Sequence, residues 1–352
     1  MTAPSPLGSC MASEMAEQPR ALRELLDRQA GIRAMLREVV AEPPRGVLML
    51  ARGTSDNAAI FGRYLLEIAL GVPVGLVAPS IWTRYARYPD LSGQLLIALS
   101  QSGRTPEIER VVQLAGSAGA TAIAVTNDER SPLAEAAHGV IALGAGLERA
   151  VPATKTFTTQ LAAIAIVADA LSRQDAEDLE DLAAIPALQE RVLEDDGCVR
   201  EAAAGLVNAR AVVTVGSGLL YPVALEAGLK LLETTSIPVL SYSASDFVHG
   251  PLAVAGPEVP LVCFAATGPV HGDVVAAAGA ASDRGSHVVW VSDFPGLPDA
   301  RYEHLPTPSG VREPLTGLLH AVRAQQLSLE MSRALGRDPD APYGLQKVTP
   351  TA

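Results

Sequence analysis

The chain has 352 residues, of which 48% are hydrophobic and 19% charged, and its formal net charge is −12. This composition excludes an intrinsically disordered chain, and the length is sufficient for two hydrophobic cores. The acidic balance, without any run of Lys and Arg, argues against a nucleic-acid partner.

The remaining composition argues against secretion and membrane insertion. Cys10, Cys198 and Cys263 are widely spaced and odd in number, so they predict neither a disulfide framework nor a Cys-rich metal site. The N-terminal segment does not have the basic start and apolar stretch of a signal peptide. No apolar run reaches the ~20 residues that a membrane span needs. We therefore expect a soluble, cytoplasmic protein with no membrane partner.

The elements predicted in the first half are helices followed by an alternation of strands and helices. Residues 12–42 carry apolar residues at helical spacing, and Pro19 breaks or begins one part of this stretch. Beyond Gly46, short runs that are apolar throughout alternate with longer helical patterns, which is typical of buried parallel strands. The predicted strands are 47–51, 95–100 and 122–126, and the predicted helices are 57–70, 106–118 and 132–137.

The same order recurs in the second half. Its predicted strands are 211–218, 260–265 and 287–292, with a helix at about 222–235. The halves align at an offset of 165 or 166 residues, so that Gly62 and Glu67 fall on Gly228 and Glu233. Such a repeat indicates a duplicated α/β unit, in which each copy is a parallel sheet flanked by helices in three layers. One large doubly wound sheet is the alternative.

These patterns also divide the chain into segments. The predicted segments are a helical leader at 1–45, a first α/β domain at 46–172, a helical linker at 173–204, a second α/β domain at 205–335 and a tail at 336–352.

A hydroxyl-rich turn lies between a predicted strand and a predicted helix. Ser100, Ser102 and Thr105 follow the strand, and Pro106 suits the first turn of the helix. Backbone amides at a helix start, together with three hydroxyls, suit a phosphate group. A plain helix cap is the alternative, whereas a P-loop and a dinucleotide fingerprint are both absent. The second half has Ala-Ala-Thr-Gly at 265–268 instead, so we expect one phosphate site for the two halves.

Charged residues on the helix of the second half form a second candidate feature. Glu226, Lys230 and Glu233 share one helical stripe, which is either a solvated face or the wall of a cleft where a carboxylate acts as a general base. His249, in a loop before Gly250, is a candidate for proton transfer. Near the C-terminus Lys347 lies in an otherwise uncharged segment. The residues that would dock this segment are Tyr343, Leu345 and Val348.

These segments together resemble the sugar isomerase (SIS) family, in particular proteins with two tandem SIS domains. The resemblance covers nearly the whole chain and rests on six ordered segments. They are R-G-T-S-D-N-A (52–58), S-Q-S-G-R-T (100–105), A-T-K-T-F-T-T-Q-L (153–161), A-L-E-A-G-L-K-L-L-E (224–233), H-G-P (249–251) and L-Q-K-V-T (345–349).

The resemblance implies an active site for a phosphorylated amino sugar. It implies that Glu233 moves a proton between carbons 1 and 2, with Glu226 and Lys230 lining the site. His249 would come from a second subunit of a homodimer to open the sugar ring, and Lys347 would close over the substrate. No metal or other cofactor is implied. The residues implied to bind the substrate, mainly through its phosphate, are Ser55, Ser100, Gln101, Ser102, Thr105 and Val151.

Three departures from the family pattern bear on the reaction. About 45 residues precede the first half, which is too few for a glutaminase domain, so we expect no synthesis with ammonia from glutamine. Pro152 stands where relatives have a small residue. Asp246 stands where a Glu is more usual, near the expected position of the sugar's amino group.

The leading hypothesis is a deaminase/isomerase that converts glucosamine 6-phosphate to fructose 6-phosphate and ammonia. After the same proton abstraction, a dehydratase (lyase) of N-acetylglucosamine 6-phosphate would instead expel the hydroxyl at carbon 3. A ketose–aldose isomerase and a deglycase of phosphorylated fructosamines are further alternatives. A non-catalytic phosphosugar sensor is the alternative from another class.

Overall fold

The structure is a computed structural model that describes residues 6–172, 179–296 and 302–347. The chain divides into two compact units, and we number them by the order of their sheets. The first unit comprises the described parts of 20–148 and 155–183, and the second comprises those of 1–19, 149–154 and 184–347. Each unit contains one five-stranded parallel sheet, so the predicted α/β class is confirmed.

Helices and strands alternate through the first sheet. Three helices precede it: α1 (Ser9–Ala16), α2 (Gln18–Asp27) and α3 (Gln29–Val39). The elements that follow are β1 (Gly46–Leu50), α4 (Thr54–Leu70), β2 (Val74–Leu76), α5 (Pro79–Thr83), β3 (Gln94–Ser100), α6 (Pro106–Ser117), β4 (Thr121–Thr126), α7 (Pro132–Ala136), β5 (Gly139–Ala142) and α8 (Lys155–Leu171).

The second sheet follows a 3-10 helix at Leu179–Ala184. Further 3-10 helices lie at Gly218–Leu220 and Pro251–Val254. The other elements are α9 (Ile185–Glu194), α10 (Gly197–Leu206), β6 (Val212–Gly216), α11 (Tyr221–Thr235), β7 (Val239–Ser243), α12 (Ala244–Val248), β8 (Leu261–Ala265), α13 (His271–Asp283), β9 (Val288–Ser292), β10 (Tyr302–Pro306) and α14 (Glu313–Ala334).

The two sheets share one topology. The strand order is β2-β1-β3-β4-β5 in the first sheet and β7-β6-β8-β9-β10 in the second, read from the matching edge. The first strand of each unit therefore lies inside the sheet, with the second strand on one side and the third on the other. The predicted duplication is thus present in the fold. In open sheets of this order, ligands bind outside the carboxyl ends of the strands where the order reverses, which is between β1 and β3 or between β6 and β8.

The core of each unit forms where a helix covers the apolar central strands. In the first unit, Val111 and Val112 of α6 pack against Leu96 and Ala98 of β3. In the second unit, α13 covers Cys263 and Trp290, both of which are fully buried. Burial of each large apolar side chain contributes roughly 1.5–3 kcal/mol relative to exposure, so these contacts fix the strand ends on which loops are displayed.

The structure confirms one detail of the predicted elements and adds strands that were not predicted. The stretch at 12–42 forms three helices, and Pro19 occupies the first turn of α2, where its missing N–H costs no hydrogen bond. Four strands at sheet edges, β2, β5, β7 and β10, were not predicted. Within the described residues, every helix is too short or too polar to cross a lipid bilayer.

Candidate active site

The hydroxyl-rich turn at 100–105 lies directly after β3, where the strand order of the first sheet reverses. Ser100 is buried, and its Oγ accepts a hydrogen bond from Gly103 N at 3.1 Å. The Oγ of Ser100 also lies 3.5 Å from Oγ1 of Thr105. Gly103 has a φ of +63°, and a Cβ at this position would overlap Ser131 Oγ, so the turn requires glycine. The turn therefore folds around the Ser100 hydroxyl.

The structure bears on one of the two interpretations of this turn, the plain helix cap. Thr105 is the N-cap residue of α6, but its side chain makes no capping hydrogen bond to the helix. In the same unit Ser131 does cap α7, because its Oγ accepts from Ala134 N at 3.3 Å. The Oγ of Ser102 accepts from Arg104 N at 3.2 Å. Helix capping therefore does not account for the Thr105 hydroxyl, which remains a candidate donor to an anion.

Ser55 lies in the first turn of α4, after the neighbouring strand β1. Its side chain is 7% exposed, and its Oγ accepts a hydrogen bond from Nε2 of Gln160 at 2.9 Å. Gln160 lies on α8, which is buried along most of its length. Gln160 belongs to the segment 153–161 of the family resemblance, but no role was predicted for it, because nothing in the sequence shows which hydroxyl it meets. Gln101 is half-buried beside Ser100.

An ion pair joins the loop after β1 to the first turn of α6. Nη2 of Arg52 lies 2.7 Å from Oε2 of Glu107, which is in the first turn of α6. The other Glu107 oxygen lies 3.4 Å from Oγ1 of Thr83. Burial raises the pKa of Asp56, in the first turn of α4, and the Arg52 guanidinium partly opposes this shift. Arg52 and Glu107 were not among the predicted site residues.

The charged stripe of α11 is not a solvated face. Glu226 and Lys230 are each 1% exposed, whereas the Glu233 side chain is 21% exposed. Nζ of Lys230 lies 2.5 Å from Oε2 of Glu233 and 3.5 Å from Oε1 of Glu226. Leu232 of the same helix is 45% exposed, so the helix buries charge while leaving an apolar side chain in solvent. Within this stripe, Glu233 is the carboxylate that solvent reaches.

His249 lies at the C-terminal end of α12 and is exposed. The start of this short helix is fixed by Ser243, whose Oγ accepts from Asp246 N at 3.1 Å and donates to Oδ2 of Asp246 at 2.8 Å. The carboxylate of Asp246, one of the departures from the family pattern, is therefore engaged locally in holding the helix that precedes His249.

The C-terminal segment is anchored to the first helix of the chain. Oδ2 and Oδ1 of Asp340 accept from the backbone N–H groups of Cys10 and Met11 at 2.7 and 2.8 Å. Beyond this anchor Lys347 is half-buried. Two of the three predicted docking residues do not dock, because Tyr343 is fully exposed and Leu345 is 45% exposed.

Two further predicted residues are Val151 and Val348. Val151 is half-buried in a bend before α8, next to the buried Pro152. Val348, the third residue predicted to dock the tail, lies outside the described residues.

The corresponding turn of the second unit contains a carboxylate. Ala265 ends β8, and Glu313 of α14 lies so close to Gly268 that a Cβ there would be 2.9 Å from the carboxyl carbon. Burial raises the pKa of Glu313. An acidic group in this position disfavours a second anion, which supports the expectation of one phosphate site.

The fold defines a class, the doubly wound α/β proteins, and comparison with known proteins gives the family. The SIS domain family matches residues 43–170 and 205–333. The chain therefore belongs to the SIS family.

Among similar proteins, glutamine–fructose-6-phosphate aminotransferase [isomerizing] of Methanothermobacter thermautotrophicus is 32% identical over 339 residues. The match covers 96% of this chain and 56% of that protein, so the chain spans little more than half the length of this relative.

Two solved structures are similar along their whole length. A protein of Silicibacter pomeroyi DSS-3, named as a candidate phosphosugar isomerase, is 31% identical with a TM-score of 0.80, and the match covers 94% of this chain and 99% of that one. Glucosamine-6-phosphate deaminase of Thermotoga maritima is 20% identical with a TM-score of 0.76, and the match covers 97% of this chain and 100% of that one. The latter likeness shows the shared fold.

Proposed function

We propose that the protein is a deaminase/isomerase of an amino-sugar 6-phosphate, which converts glucosamine 6-phosphate and water to fructose 6-phosphate and ammonia. The names of the similar proteins support chemistry on a phosphosugar: one is an aminotransferase of fructose 6-phosphate, one is named for phosphosugar isomerisation and one, similar in fold, is a glucosamine-6-phosphate deaminase. All three names describe a 6-phosphate or a phosphosugar, and two describe the transfer or removal of an amino group.

The observation that carries the proposal is the hydroxyl-rich turn whose Thr105 does not cap its helix. Phosphate oxygens accept hydrogen bonds, and hydroxyls near the start of a helix supply donors where the backbone amides also favour an anion. We assign the sugar phosphate to this turn and to Ser55. The half-buried Gln101 and Val151 are proposed to contact the same substrate.

Glu233 is proposed as the base that removes the proton from carbon 2 of the open-chain aldehyde. Its ion pair with the buried Lys230 holds the carboxylate in one orientation, and its partial exposure lets a ligand reach it. The aldehyde and the amine acidify this proton. Return of the proton to carbon 1 leaves an imine at carbon 2, and water hydrolyses the imine to the ketose and ammonia.

The remaining predicted roles follow the family resemblance. We propose that His249, on an exposed loop, assists ring opening as part of a homodimer in which it serves the partner's substrate. We propose that Lys347 closes over the bound sugar. The segment boundaries at 46–172 and 205–335, with the linker at 173–204 between them, are part of the same proposal.

A product assay tests the proposal. The purified protein is incubated separately with glucosamine 6-phosphate and with N-acetylglucosamine 6-phosphate, and the products are followed by ammonia detection and ultraviolet absorbance. We expect ammonia and fructose 6-phosphate from the first substrate. An unsaturated, ultraviolet-absorbing sugar from the second substrate would identify a dehydratase instead, and binding of both without turnover would identify a sensor.

A further inference from the structure

Gln160 donates a hydrogen bond to the Ser55 hydroxyl. A serine hydroxyl has one proton to donate and two lone pairs with which to accept. Nε2 of Gln160 donates to Oγ of Ser55 at 2.9 Å, so this contact uses a lone pair and leaves the serine proton available. Within the part of the chain that the structure describes, the Ser55 proton has no acceptor.

Burial protects the hydrogen bond between Gln160 and Ser55 from water. Gln160 is 1% exposed and Ser55 is 7% exposed, so water does not freely compete for the Gln160–Ser55 bond. Oε1 of Gln160 is buried without a hydrogen-bond partner among the described residues. Such an oxygen destabilises a fold, and an apolar side chain of the same size would avoid it. Packing alone therefore does not account for glutamine at this position.

We infer that Gln160 is a positioning residue, which orients the Ser55 hydroxyl as a donor toward the phosphate of the substrate. This inference rests on the proposed function, because it requires an anion at the hydroxyl-rich turn of the first unit. An ionised phosphate oxygen can only accept a hydrogen bond, so a serine locked as a donor binds it better than a freely rotating one. Gln160 itself touches Ser55 and acts through it.

The duplicated fold supplies a matched control. At an offset of 165 residues Gln160 corresponds to Gln325 on α14, and at the offset of 166 residues that relates α4 to α11, Ser55 corresponds to the half-buried Tyr221. Gln325 is 0% exposed, and its Oε1 also has no partner among the described residues. Its Nε2, however, donates to the carbonyl of Thr154 at 3.2 Å. The same side chain therefore bonds to a hydroxyl in one half and to backbone in the other.

The test measures binding rather than turnover, with inorganic phosphate and glucosamine 6-phosphate as probes in titration calorimetry. The single variants are Gln160→Met, Ser55→Ala and Gln325→Met, and the double variant combines Ser55→Ala with Gln160→Met. Methionine has nearly the length of glutamine but does not donate. Thermal unfolding of each variant reports any loss of folded protein.

We expect Gln160→Met to weaken binding of both probes about 3- to 10-fold, the range for loss of one ordinary hydrogen bond. In the Ser55→Ala background the same substitution should change the affinity by less than about twofold, because no hydroxyl remains to orient. Gln325→Met should leave the affinity unchanged. An equal effect of Gln160→Met in both backgrounds, or no effect in either, would overturn the inference.

A second variant keeps the inference testable if Gln160→Met does not fold. In Gln160→Glu an ionised carboxylate can only accept, so it draws the Ser55 proton away from the ligand. Relative to wild type at the same pH, the loss of phosphate affinity should be larger at pH 8 than at pH 5.5, where a protonated carboxyl can donate again. A loss that does not vary with pH would count against the inference.

The outcomes also separate this inference from the proposed function. If phosphate affinity depends on Gln160 through Ser55 but no amino sugar is converted, the proposed reaction is wrong and the positioning role stands. If the reaction occurs and phosphate affinity does not depend on Gln160, only the positioning role is wrong. If wild-type protein binds neither probe, both are wrong.

Discussion

Lys230 is a buried cation that faces two carboxylates of its own helix. Its ammonium group lies 2.5 Å from Glu233 and 3.5 Å from Glu226, and both Lys230 and Glu226 are excluded from solvent. Removing one member of such a group leaves an uncompensated buried charge, which typically costs 3–5 kcal/mol. The arrangement therefore gives little flexibility to Glu233, which suits a base that must meet a carbon-bound proton in one geometry.

The raised pKa of Asp56 leads to a prediction about how the stability of the protein depends on pH. Burial raises its pKa and Arg52 opposes the shift, so the folded protein binds a proton at this residue more tightly than the unfolded chain does. Ionised Asp56 consequently destabilises the fold above its folded-state pKa, and the cost vanishes below the unfolded-state pKa of about 4. We expect Asp56→Asn to raise the free energy of unfolding at pH 7–8 and to leave it nearly unchanged at about pH 3, as measured by urea unfolding.

Asp90 serves as a control, because its pKa is shifted in the opposite direction to that of Asp56. Hydrogen bonds from the side chain and backbone of Ser92 lower the pKa of Asp90. Ionised Asp90 therefore stabilises the fold at neutral pH, and Asp90→Asn should lose stability there and approach wild type in acid. The account of Asp56 would be contradicted if both variants showed the same pH dependence of stability.

At the scale of the elements, a glycine in each copy of the repeat allows a helix to lie close to the sheet. Gly228 of α11 lies against Thr214 of β6 and Ser241 of β7, and a Cβ at this position would overlap Ser241 Oγ. Thr214 Oγ1 donates to the α11 carbonyl of Ala224 and lies 2.7 Å from Ser241 Oγ. Gly62 approaches Met49 of β1 in the same way, which explains the matched glycines of the two halves.

This contact predicts that Gly228→Ala destabilises the protein by about 1–3 kcal/mol, because the added methyl group forces α11 away from the sheet that positions Glu233. Gly31, on the exposed face of α3, serves as the control, because no atom lies within 4 Å of the position that an added methyl group would take. Gly31→Ala should stabilise by about 0.5–1 kcal/mol. Chemical unfolding measures the free energy of unfolding of both variants. Equal changes in the two variants would contradict the close approach of α11 to the sheet as the cause.

The central strands of both sheets were predictable, and the edge strands were not. All five residues of β6, β8 and β9 are buried, so each reads as a continuous apolar run. By contrast, β7 is only half-buried at each position and β2 has three residues, so neither carries a periodic signal. An edge strand takes its conformation from pairing with its neighbour, which local sequence does not encode.

Likewise, only part of the candidate site was predictable from the sequence. The hydroxyl-rich turn and the charged stripe of α11 were predictable because each lies within a single short segment. The contact of Gln160 with Ser55 joins residues 105 positions apart, and that of Arg52 with Glu107 joins residues 55 positions apart. Only the folded sheet brings such residues together, and a single sequence contains no signal for their pairing.

For the whole molecule, the proposed function gives the two copies of the fold different chemical tasks. The first unit retains the hydroxyls at the turn after β3, whereas the second has alanines there and the Glu313 carboxylate against its glycine. The second unit instead carries Glu226, Lys230 and Glu233 on α11. The central claim is that the first copy binds the phosphate while the carboxylate of the second removes a proton from carbon 2.

The most direct test follows deuterium at carbon 2 of glucosamine 6-phosphate by NMR, since deamination, isomerisation and dehydration all begin by breaking this bond. We expect wild-type protein to release the deuterium to water, and Glu233→Gln to slow the release at least about 100-fold, as for loss of a general base. Retention of deuterium by wild-type protein that binds the sugar, or equal release by wild type and Glu233→Gln, would contradict the claim.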